Sequence, residues 1–88
     1  MTAHLIARMR NMARKVFGPF EAVSAVMPRE GGGYYAAIAT KAIGGSGAPR
    51  FNKLLEKQRF ETAAKADEAA AVQLTHLKGV NEEGGLVW

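Results

Sequence analysis

Eighty-eight residues allow one small domain, 1–88, with a thin core, and leave no room for a separate catalytic unit. Apolar residues make up 48% of the chain, and the absence of cysteine excludes disulfides, thiolate metal sites and cysteine nucleophiles. No apolar run approaches the ~18 residues of a membrane-spanning helix, there is no secretory h-region, and the lack of cysteine fits a reducing cytoplasm. The net charge of +4 is localised: residues 1–20 hold Arg8, Arg10, Arg14 and Lys15 without an acid, whereas 21–88 hold eight Lys or Arg against eight Asp or Glu.

The opening, MTAHLIARMRNMARKVFGPF, reads as a helix from about Thr2 to Val16, within a helical segment 1–17 ended by Gly18-Pro19. Leu5, Met9, Met12 and Val16 recur at helical spacing, with Arg8, Asn11 and Lys15 opposite and Arg10 and Arg14 to the side. A solvated basic face, a phosphate- or partner-contacting helix, and a membrane-surface helix or organellar presequence all share this pattern. Scarce serine and the little chain left after cleavage count against the presequence.

Residues 20–61 are expected to form a three-stranded antiparallel sheet. Phe20–Met27 alternates in type and holds valine and phenylalanine, so it reads as a strand. Pro28 to Gly33 is a turn with three glycines free to take positive φ. YYAAIATKAI, residues 34–43, is the clearest strand, with Tyr34, Ala36 and Ile38 on one face and Tyr35, Ala37, Ala39 and Lys41 on the other. The following GGSGAP lacks the lysine of a phosphate-binding loop and reads as a hairpin connection. Residues 50–61 are ambiguous, because Leu54 to Gln58 favour helix; a third strand is expected because two strands alone are marginal.

Thr62 is a suitable N-cap for an amphipathic helix running to Lys78, with Gly79 as its stop, giving a C-terminal helical segment 62–79 and a tail 80–88. Ala63, Ala66, Ala70, Leu74 and Leu77 make one apolar stripe, while Lys65, Glu68 and Val72 face away. The fold class is therefore α+β: an N-terminal basic helix, a three-stranded antiparallel sheet and a C-terminal amphipathic helix.

Phe60-Glu61-Thr62-Ala63 with Ala66, Ala69, Gly79 and Asn81, preceded by Tyr34-Tyr35-Ala36-Ala37-Ile38, resembles the Apetala/ethylene-response-factor type of DNA-binding domain. That family, with relatives in phage and mobile elements, packs three antiparallel strands on one helix and reads DNA with arginines and tryptophans on the exposed sheet face. The resemblance spans roughly residues 20–81 and implies contacts from Tyr35 and Lys41 on the second strand and Lys53, Lys57 and Arg59 on the third. The first strand departs from it, having no arginine, and the single tryptophan is Trp88. The element order is also similar to a double-stranded-RNA-binding domain, but the lysine cluster expected at its last helix is reduced to Lys65, followed by Asp67 and Glu68.

Chemistry is sparse. His4 and His76 lack partners at metal spacing, and Ser24 and Ser46 lack a nucleophile's His/Asp arrangement, so neither an enzyme nor a cofactor is expected. The first functional expectation is a non-catalytic module binding duplex nucleic acid, with Arg8, Arg10, Arg14 and Lys15 steering the phosphates and Lys41, Lys53, Lys57 and Arg59 extending the patch. The second is a small inhibitor or adaptor docking on a protein or ribonucleoprotein complex, similar in size and style to phage anti-CRISPR proteins. A homodimer through the alanine-rich face or a free sheet edge is a third. The fold discriminates between the first two: cations on one continuous face favour nucleic acid, and cations split around an apolar patch with Tyr35 or Trp88 favour protein.

Overall fold

A computed structural model of the chain describes residues 13–45 and 47–88. Four strands form one antiparallel sheet in sequence order: β1 (Arg14–Phe17), β2 (Phe20–Pro28), β3 (Tyr34–Ala42) and β4 (Arg50–Leu54). They are followed by α1 (Ala63–His76) and a two-stranded hairpin, β5 (Gly79–Val80) with β6 (Leu86–Val87).

The N-terminal segment departs from expectation. Residues 1–12 of the proposed helix, including Arg8 and Arg10, lie outside the described residues, but Arg14–Phe17 is a strand, so the sheet has four strands. The physical reason is Gly18-Pro19. Phe17 pairs with Phe20 across these two residues, and Gly18 takes φ +57°. A positive φ followed by a proline is the pattern of a type II′ hairpin turn, which folds β1 back onto β2. The pairing continues past the strand, with the Ser24 amide donating to the Ala13 carbonyl at 2.9 Å.

The long strands follow the alternation of their residues. β2 and β3 pair from Phe20↔Ala42 to Pro28↔Tyr34, across a turn in which Gly31, Gly32 and Gly33 all take positive φ. At Gly33 a Cβ would lie 2.8 Å from the Arg59 side chain and 3.1 Å from the Phe60 carbonyl oxygen, so glycine is needed for close approach as well as for φ. The ambiguous segment 50–61 resolves into β4, a turn in which Leu55 takes φ +49°, and a bridge between Phe60 and Tyr34.

Thr62 caps α1, its hydroxyl accepting from the Lys65 amide at 3.1 Å. Ala66, Ala70, Leu74 and Leu77 are buried, while Ala63 is exposed. The small residues let the helix lie close over Ala22, Ala36 and Ile38, and Ile38 and Leu77 are the largest fully buried side chains. The helix ends at His76, with Leu77 extended at φ −66°, ψ 131°, so Gly79 opens β5 instead of stopping the helix. Lys15 supplies the C-terminal cap: its ammonium donates to the carbonyls of Leu74, Thr75 and Leu77 at 3.5, 3.3 and 3.0 Å.

The expected tail 80–88 is largely hairpin. Asn81 organises its turn, the side-chain oxygen accepting from the amides of Glu83 and Gly85. Thr40 and Arg50 fasten it to the sheet, donating to the carbonyls of Gly84 and Glu83 at 2.7 and 3.1 Å. Asp67, hydrogen-bonded to Ser24 beneath the helix, has its carboxyl raised above the ordinary value by burial, with the hydrogen bond opposing and Glu68 adding to the rise.

Candidate docking face

Side chains alternate across the sheet, and the core assigns the two faces. Ala22, Ala36, Ile38 and Leu54 point towards α1, with Lys15 on the same side through its bonds to the helix end. The opposite, front face follows from the register: Arg14 and Val16 on β1; Glu21, Val23, Ala25 and Met27 on β2; Tyr35, Ala37, Ala39 and Lys41 on β3; Phe51 and Lys53 on β4. Among the described residues, no helix or hairpin packs on this side.

The face has an apolar middle. Val23, Ala39 and Phe51 lie in one cross-strand row, with Ala25 and Ala37 in the next. A groove of about 340 Å³ runs over this strip, lined by Glu21, Val23, Ala25, Ala39, Lys41, Pro49 and Phe51. Phe51 stands at its wall with half of its surface exposed (50%), and Val16 on β1 is similarly exposed at 53%.

Charges sit at the two ends. At one end, Lys41 is exposed opposite Glu21, which forms an ion pair with Arg14. At the other, Tyr35 carries two cations over its ring, the Lys53 ammonium 4.6 Å and the Arg29 guanidinium 4.8 Å from the centroid. Arg29 also donates to the carbonyls of Glu56 and Gln58 at 3.3 and 3.1 Å, which joins the turn after β4 to the turn after β2. Arg59 packs against Gly32 and Gly33, and Lys57 is exposed in the turn after β4. Three acids, Glu30, Glu56 and Glu61, are interspersed with the cations of these turns.

The residues singled out from sequence thus separate. Tyr35 and Lys53 meet, joined by Arg29, which sequence reasoning passed over; its position at a turn, beyond the strand alternation, gave no signal of where its side chain would lie. Lys57 and Arg59 flank that corner, Lys41 belongs to the opposite end, Arg14 lies beside Val23 at the β1 edge of the apolar row, and Lys15 is on the other side of the sheet. Phe51 was the other omission, although its alternation with Lys53 put both on one face. Trp88, directly after β6, is 51% exposed and does not line the groove.

Among the described residues no three His, Cys, Asp or Glu side chains gather as a metal site, and no helix is long and apolar enough to cross a membrane. Comparison with protein-family models, curated proteins and solved structures returned no match.

Proposed function

We propose that this chain is a non-catalytic docking module, of the adaptor or inhibitor kind, that binds a protein partner through the front face of its four-stranded sheet. The observation that carries the reading is the separation of Lys41 from Lys53 and Arg29 by the apolar row Val23, Ala39 and Phe51. An apolar centre with a polar rim is the anatomy of a protein interface, and an aromatic side chain at the centre is its usual anchor. Nucleic acid asks instead for a continuous basic track with free aromatic faces. Here Arg14 is paired with Glu21, Lys15 caps a helix, and the Tyr35 ring already carries two cations. Duplex binding is the second reading, and the observation favouring it is the Arg29–Lys53–Tyr35 corner with Lys57 and Arg59 beside it.

Phe51→Glu tests the first reading. It puts a carboxylate at the groove wall at an exposed position, so the thermal unfolding midpoint should stay within a few degrees of the parent. A protein retained by the tagged full-length chain should be lost, with affinity reduced at least about tenfold. Equal retention by the parent and the variant would contradict the assignment of the face.

A further inference from the structure

The groove and the two cationic ends together specify the chemistry of an occupant. We propose, resting on the docking reading above, that the front face takes an extended acidic segment of a partner protein, with a large apolar residue between two carboxylates at the spacing acid-x-apolar-x-acid.

Charge complementarity selects the acidic partner. Of the charged side chains on this face and over Tyr35, Arg14, Lys41, Lys53 and Arg29 are cations and Glu21 is the one acid, already paired with Arg14. Lys41, Lys53 and Arg29 therefore have no carboxylate partner among the described residues. A second copy of the same face would oppose cations to cations, which disfavours face-to-face pairing of this chain.

Spacing selects the extended conformation. Lys53 pairs with Ala37, four residues from Lys41 along β3, so the two backbone positions lie roughly 14 Å apart along the strand direction. Ala39, on the groove floor, is midway between those two rows. In an extended segment, residues i, i+2 and i+4 share one side and span about the same distance, which places an apolar side chain at i+2 over the groove when carboxylates at i and i+4 reach the lysines. On a helix the same-side positions nearest this span, i+7, i+8 and i+11, fall at about 10.5, 12 and 16.5 Å, and none matches it as closely.

The test is a titration of the ¹⁵N-labelled full chain with a capped synthetic peptide containing Glu-Ser-Leu-Ser-Glu, followed by amide shifts. Saturable shifts are expected at Val23, Ala25, Ala39 and Lys41. Replacing both peptide glutamates by glutamine, or making the Lys41→Glu, Lys53→Glu double variant of the protein, should weaken binding about tenfold. Equal binding of the glutamine peptide would overturn the acidic partner while leaving the docking face intact. Shifts confined to α1 or the β5–β6 hairpin would overturn the face itself. No saturable shift at millimolar peptide, or front-face shifts that change on dilution of the protein alone and so reveal a second copy as occupant, would overturn the inference. A generic duplex that moves these same amides more tightly than the peptide would do so in favour of nucleic acid.

Discussion

Replacing Ile38 by alanine should cost the fold about 2–5 kcal/mol, the range for truncating a large aliphatic side chain in a closed core. Ile38 is fully buried on β3, packed in the cluster formed by Ala22, Ala36, Leu54, Ala70, Leu74 and Leu77. Three of these six neighbours are alanines, which have no longer side chain to swing into the space left behind. The cavity should therefore persist. Small domains hold only about 5–15 kcal/mol in total, so the loss is a large share of the whole and should lower the melting temperature by roughly 10 °C or more. Val72→Ala, on the exposed side of the helix, is the control and should change stability by no more than about 0.5 kcal/mol. Denaturant melts of the two variants check this, and a cost below about 1 kcal/mol for Ile38→Ala would mean that the helix does not close over β3 as described.

Lys15→Met should cost about 1–3 kcal/mol, although the substitution removes only a charge from a strand four residues long. The Lys15 ammonium serves three carbonyls at the end of α1 and lies 5.5 Å from the Phe17 ring centroid. Methionine keeps the apolar stem, so what is lost is charge-assisted hydrogen bonding to the exposed carbonyl of Thr75 and the part-buried carbonyls of Leu74 and Leu77, and the shielding of those two limits screening by salt. Chemical denaturation should show the loss, with little recovery for the parent–variant difference on raising salt. A variant as stable as the parent would return Lys15 to the set of free surface cations.

This lysine also marks where sequence reasoning stops. The strands Phe20–Pro28 and Tyr34–Ala42, the glycine turn between them, the Thr62 cap and the buried stripe from Ala66 to Leu77 were all legible, because alternation, turn chemistry and helical spacing are local signals. The partnership of Lys15 with carbonyls some sixty residues away has no local signal at all. β1 was misread for a different reason. Val16 completes a helical spacing with Met12 and Met9, and the pull of that pattern hid a two-residue hairpin written in Phe17-Gly18-Pro19-Phe20. β5 and β6 are too short for any period to register, and only the Asn81 turn hints at them. Of the candidate site, the shared face of Tyr35 and Lys41 was readable from alternation, whereas Lys53 came only from the resemblance and joins that face through its pairing with Ala37. The apolar strip between the cations was not legible, because it exists only in the register of β2, β3 and β4.

The measurement that bears most directly on the docking reading is the affinity of the full chain for a generic labelled duplex across a salt series, with Phe51→Glu and Lys57→Glu beside the parent. Duplex affinity should be no stronger than non-specific binding, in the micromolar range or weaker near physiological salt. Phe51→Glu should lose no more duplex affinity than Lys57→Glu, since the first lowers the net charge by one and the second by two, and neither side chain reads bases. Tight duplex binding that falls linearly in log salt with a slope of several phosphates, and that Phe51→Glu selectively abolishes, would contradict that reading and make the front face a nucleic-acid surface.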